Sequence, residues 1–131
     1  MDNVNSLTAI RHALFPEKET DPSTKPDDYY EIYEPYFKAI RNSPLNIVEL
    51  GVLEGKSTRV FASYFRYSRI LALDVELREI DFSHYENVVY AKCDQNDQGA
   101  LSDICKTTFP SGIDLVIDDA AHIGCYSLTV R

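Results

Sequence analysis

Apolar residues recur along this chain in two alternating patterns. Short continuous runs are separated by stretches in which apolar positions return every three or four residues. The first pattern predicts buried strands and the second amphipathic helices. Residues 5–15 predict a short helix with Leu7, Ile10, Leu14 and Phe15 near one face and Asn5 or Ser6 as its cap. Residues 16–28 contain three prolines and many charges, and read as a linker. Residues 29–42 predict a helix kinked or restarted at Pro35. Its Tyr29, Tyr33, Tyr36, Phe37 and Ile40 recur at helical spacing, either as a packing face against a sheet or as an aromatic lid beside a pocket.

The apolar runs 46–50, 69–74, 87–93 and 113–117 predict four strands. Helices are expected over 57–67 and 98–107, with a polar connection at 75–86. Strands that alternate with helical segments imply an α/β fold with a parallel sheet and right-handed crossovers. The fourth run is apolar enough to expect cover on both faces. With no fifth strand expected, this reads as the N-terminal part of a larger domain, or as a domain completed by another chain. Its organisation is then a helix and linker over 1–27 followed by a partial domain over 28–131. Strand four would be an open sheet edge, suited to a second copy or a completing chain.

Composition narrows the class without changing the fold. The chain has 131 residues, 44% apolar and 26% charged, with a formal net charge of −8. Such an acidic surface disfavours nucleic acid as a partner. No apolar run approaches the roughly 18–20 residues of a membrane span, so no membrane role is expected. The first residues lack the basic and apolar regions of a signal peptide. Cys93, Cys105 and Cys125 form no C-x-x-C pair, which fits reduced thiols in the cytoplasm. His12 reads as a surface or packing residue.

The candidate chemistry lies where the strands end. The stretch Asn46–Thr58 is strand, glycine turn, then helix start, a geometry that aims backbone N–H groups and the positive end of a helix dipole at a ligand. Each strand ends in an acid: Glu49, Asp74, Asp94 and the pair Asp118 and Asp119. In a parallel sheet these lie on one edge. Asp74, 23 residues beyond Gly51, suits ribose hydroxyls and would repel a 2′-phosphate. Asp94 or Gln95 suits an adenine amino group, and Glu49 a ligand ammonium. The ligand implied is a nucleoside with a cationic, amino-acid-like tail. Two other ligand classes fit less of the stretch. A dinucleotide site needs G-x-G-x-x-G, whereas Gly51 and Gly55 give G-x-x-x-G with Glu54 between them. Gly51 to Ser57 is one residue short of a P-loop, although residues 113–119 could then serve as its Mg²⁺-binding strand.

The residues resemble class I, Rossmann-like S-adenosylmethionine-dependent methyltransferases. The resemblance rests on Val48–Ser57, Leu71–Asp74, Ala91–Gln95 and Asp114–Asp119, in that order. More narrowly, Glu49–Val52, Gly55–Ser57, Asp94–Gln95 and Ile117–His122 are similar to the branch holding macrolide sugar O-methyltransferases and cephalosporin hydroxylase-like proteins. Tyr29–Phe37 resembles that branch's opening helix. Thr24–Lys25 only faintly echoes the residues that precede that helix in the branch, and Ala120–Ala121 stands where it has Gly-Ser. The later strands, which shape an acceptor pocket, have no counterpart.

The resemblance implies a three-layer sandwich and the cofactor S-adenosylmethionine. Glu49, Gly51, Gly55 and Ser57 would hold its methionine end, Asp74 its ribose, and Asp94 and Gln95 its adenine. Asp118 and Asp119 would bind Mg²⁺ beside the hydroxyl of a small-molecule acceptor, with Asp118 and His122 catalytic, His122 as general base. The plainer alternative for the aspartate pair is a helix cap, and for His122 a packing role. A binding remnant that holds the nucleoside without transferring a methyl group is the alternative function.

Overall fold

The computed structural model describes residues 6–16, 27–118 and 127–130. Among them, helices α1 (Leu7–Leu14), α2 (Asp27–Lys38), α3 (Lys56–Tyr64) and α4 (Gln98–Thr108) alternate with strands β1 (Asn46–Leu50), β2 (Arg69–Asp74), β3 (Val88–Lys92), β4 (Leu115–Asp118) and β5 (Ser127–Val130). The sheet order is β3-β2-β1-β4-β5. The first four strands are parallel, as the alternation of runs implies. β1 stands between β2 and β4, so the strand order reverses direction beside it. In open α/β sheets that reversal opens a crevice at the carboxyl ends of the strands.

Two expectations are corrected. β4 is not the edge of the sheet, because β5 returns antiparallel along it, Asp118 opposite Ser127 and Leu115 opposite Val130. Ladder hydrogen bonds therefore cover the edge on which an intermolecular contact was expected. Second, of the kink or restart expected at Pro35, the restart does not occur, because α2 is one helix through that residue. Proline removes one donor, and the packed aromatic face of the helix outweighs that loss.

The two faces of the sheet are covered unequally. One face carries Ile47, Ile70, Leu115 and Ile117, packed against Leu7 of α1, Tyr29, Tyr30 and Phe37 of α2, and Val60, Phe61 and Tyr64 of α3. The aromatic stripe of α2 is thus a packing face and not a lid. Tyr36 lies at its margin and is 66% exposed, while Tyr30 is buried in its place. A hydrogen bond from Tyr64 Oη to Glu34 (2.8 Å) and another from Leu7 N to the same carboxyl group (2.7 Å) join α1, α2 and α3. Burial, together with the Glu34 carboxyl group, pushes the Tyr64 phenol well above its usual range.

The other face carries Val48, Leu71 and Leu73, covered among the described residues by Cys105 and the partly buried Leu101 and Ile104 of α4 and by Phe109 just beyond it. Beside α4 a groove of about 520 Å³ remains over β1 and β4, floored by Val48, Leu50 and Val116 and walled by Leu101, Cys105 and Phe109. Among the described residues, the α4 face of the fourth strand therefore lacks the full cover that its apolar run leads one to expect.

Candidate cofactor site

The residues after β1 cannot continue as a strand. Gly51, Leu53 and Gly55 have φ of 91°, 53° and 81°, so the backbone reverses within five residues and delivers the chain to α3. Positive φ is readily adopted by glycine and costs a branched or bulky residue about 1 kcal/mol or more. Gly55 is the N-cap of α3 and brings no capping side chain. The first N–H groups of a helix have no partner within it, and here they open onto the turn.

Two acids hold this turn in shape. Glu49 is fully buried, and its two carboxyl oxygens accept hydrogen bonds from Ser57 Oγ (2.7 Å) and Thr58 Oγ1. It clamps the end of β1 to the first turn of α3. Asp74 Oδ2 accepts the N–H groups of Val52 (2.9 Å) and Leu53 (3.0 Å), while Oδ1 has a long contact of 3.4 Å with Glu76 N. Burial alone would raise the Asp74 carboxyl pKa. The N–H groups of Leu53, Val52, Glu76 and Val75 together outweigh it and hold the group below the usual carboxylate range.

A depressed carboxyl pKa stabilises the fold above its unfolded value of about 3.9, and that contribution is lost as pH falls through the folded value. Asp74→Ala leaves two N–H groups without an acceptor, at an expected cost of about 1.5–3 kcal/mol for bonds to a charged group. Urea unfolding will show this gap near neutral pH. It should narrow once acid protonates Asp74 in the parent, and a gap independent of pH would contradict the assignment.

The remaining strand ends follow in register. Cys93 N bonds Asp74 O (2.9 Å), which sets Asp94 and Gln95 beside Asp74. Asp94 is exposed and accepts the N–H of Asn96 (2.9 Å). Gln95 is partly buried, and its Oε1 has no hydrogen-bond partner among the described residues. Asp118 pairs in register with Leu50. It therefore leaves the sheet on the α4 face, whereas Glu49 leaves on the face of α1–α3. Asp119 and His122 lie outside the described residues. Among those described, no group of three His, Cys, Asp or Glu residues is arranged to hold a metal ion, and no helix is long and apolar enough to cross a membrane.

The geometry is unfavourable to a phosphate cradle. Such a loop points its N–H groups at the phosphate, but those of Val52 and Leu53 go to Asp74 and that of Gly55 goes to Val52 O (2.9 Å). A nucleoside needs fewer of them.

No family model matches the chain. It is 31% identical over 109 residues to the 8-demethyl-8-alpha-L-rhamnosyl tetracenomycin-C 2'-O-methyltransferase of Streptomyces olivaceus, covering 77% of this chain and 28% of that protein. It is also 31% identical over 106 residues to the mycinamicin VI 2''-O-methyltransferase of Micromonospora griseorubida, covering 74% of this chain and 25% of that one. Among solved structures, the MycE methyltransferase of the mycinamycin biosynthetic pathway, in complex with Mg and SAH, superposes with a TM-score of 0.60 at 31% identity, over 76% of this chain and 29% of that one. A second MycE complex, with Mg, SAH and mycinamycin VI, gives a TM-score of 0.58 at the same identity, over 77% of this chain and 29% of that one. The chain is thus similar in sequence and in fold to S-adenosylmethionine-dependent sugar O-methyltransferases of class I.

Relative to these methyltransferases the chain is short, spanning 25–28% of the two curated relatives' length. The glycine turn and the start of α3 also contain residues that sequence reading overlooked. Thr58 shares Glu49 with Ser57, and Leu53 adopts positive φ between the two glycines. The hydroxyl pair directly after the turn was a usable signal for the first. Nothing local marks the second.

Proposed function

We propose that this chain forms the cofactor-binding part of an S-adenosylmethionine-dependent O-methyltransferase that acts on a small-molecule or sugar hydroxyl. The observation that carries the reading is the Gly51–Gly55 turn, held by Glu49 from β1 and by Asp74 from β2, at the reversal of strand order. The turn and the start of α3 take the methionine end of the cofactor. Gly51 and Gly55 allow the backbone to approach it. Glu49 and Ser57, bonded to one another, support that end from beneath.

Asp74 Oδ2 is bound to the turn, and its other oxygen, Oδ1, receives a ribose hydroxyl. Gln95 Oε1, buried and without a partner among the described residues, matches the donor character of an adenine amino group, with Asp94 beside it. These donors and acceptors fit a neutral, hydroxyl-rich nucleoside. Asp118 and Asp119 would hold Mg²⁺ through hard carboxylate oxygens, and that ion would lower the pKa of the acceptor hydroxyl. His122 would take the hydroxyl proton. Binding draws on described residues alone, whereas transfer draws also on Asp119 and His122.

An amide ¹H–¹⁵N spectrum with S-adenosylhomocysteine tests the binding. The expected result is a set of shifts confined to Gly51–Ser57, Asp74 and Asp94–Gln95. A dispersed spectrum that ignores the ligand would refute cofactor binding by this chain.

A further inference from the structure

The connection between β2 and β3, residues 75–87, contains no regular helix among its described residues. It folds back over the glycine turn. A Cβ built on Gly55 would lie 2.9 Å from Phe82 Cζ, closer than real Cβ contacts allow, and a tight 3.2 Å from Ile80 Cγ2. Gly55 therefore lacks a side chain for two reasons, its φ of 81° and the ring that rests against it.

That ring is held from several sides. Tyr90 of β3 meets it edge-on at 5.3 Å and Tyr85 at 6.5 Å. The Arg59 guanidinium of α3 lies 5.5 Å from its centroid and donates to Asp81 O (3.3 Å). Arg78 N donates to Tyr90 Oη (2.9 Å), fixing the near end of the connection to β3. Edge-on aromatic pairs and a cation over a ring each add on the order of 0.5–1 kcal/mol beyond simple burial. The connection acts as a strap fastened to α3 and β3, with Phe82 pressed onto Gly55.

We propose that Phe82 is a positioning residue for the cofactor site: through its contact with Gly55 it keeps the Gly51–Gly55 turn in its binding-ready conformation. The proposal rests on the reading of that turn as the cofactor site. Without the ring, the turn loses the wall behind Gly55 and rests on its own hydrogen bonds, which then open more often. The competent conformation is then one of several, and apparent affinity falls in proportion to its population.

The test compares Phe82→Ala, Phe82→Met and Phe82→Tyr with the parent chain. Two quantities are measured: S-adenosylhomocysteine affinity by calorimetry, and amide hydrogen exchange at Val52, Leu53 and Gly55. The amides of Gly112 and Asp114, bonded to Phe109 O and Asn46 O on the β4 side of the sheet and remote from the strap, report global stability. If alanine lowers the competent population to about a tenth, affinity weakens about tenfold and the three turn amides lose nearly all their protection, while the remote amides keep theirs. Methionine, which reaches as far as the ring, restores most of both. Tyrosine, whose hydroxyl would extend from Cζ towards Gly55, weakens binding again.

Unchanged affinity in the alanine variant overturns the proposal, whether or not exchange accelerates, provided the parent binds. If the parent does not bind, the cofactor reading fails, and exchange at the turn amides alone decides whether Phe82 braces the turn.

Discussion

Glu49→Ala is expected to destabilise the chain by about 3 kcal/mol or more, because two buried hydroxyls each lose their acceptor at about 1–3 kcal/mol apiece. Glu49 is fully buried, and its oxygens meet Ser57 at 2.7 Å and Thr58. The alanine also leaves a cavity between β1 and α3. Urea unfolding measures the loss. The companion variant Glu49→Leu with Ser57→Ala and Thr58→Val removes all three polar groups together. It should recover much of the stability, since replacing both sides of a buried bond costs far less than orphaning one. A single Glu49→Ala variant as stable as the parent would mean that the clamp does not hold β1 to α3.

Phe61→Ala is expected to be as damaging, at about 3–5 kcal/mol for a truncated buried aromatic. Phe61 is 1% exposed and lies at the centre of the aromatic cluster, with ring centroids of Tyr29, Tyr30, Phe37 and Phe65 between 5.9 and 6.4 Å away. It joins α2 to α3 above the sheet. At a few degrees per kcal/mol for a domain of this size, the melting temperature should fall by about 10–25 °C. Phe61→Leu keeps most of the volume and should cost under about 1.5 kcal/mol. A fall of only a few degrees in the alanine variant would show that α2 does not dock on α3 as described.

Much of this was legible in the residues because it is local. β1 and β2 were bounded to the residue by their aliphatic runs, and the glycine spacing marked the turn between β1 and α3. The acids were placed on the correct edge for the same reason, since strand direction fixes it. What sequence reading could not supply were pairings across long separations. Phe82 and Gly55 lie 27 residues apart, and nothing in either neighbourhood announces the other. Asp74 was read as facing a ligand, yet one of its oxygens is committed to the turn, a bond spanning 21 and 22 residues. Glu49 was read in the same way, and it is bonded to the hydroxyls eight and nine positions on. β5 escaped because four residues of Ser-Leu-Thr-Val are too short to show a period, and its antiparallel return needs no helix to announce it.

The unequal cover of the sheet bears on how the molecule comes apart. α1, α2 and α3 share one continuous core through Phe61, while α4 and its C-cap hold the opposite face through Cys105, Phe109 and a few half-buried neighbours. Local opening follows the smaller apolar contact, so the α4 layer lifts before the aromatic layer melts. The intermediate left behind is a sheet with one dry face and one wetted face, and Val48, Leu71 and Leu73 meet water first.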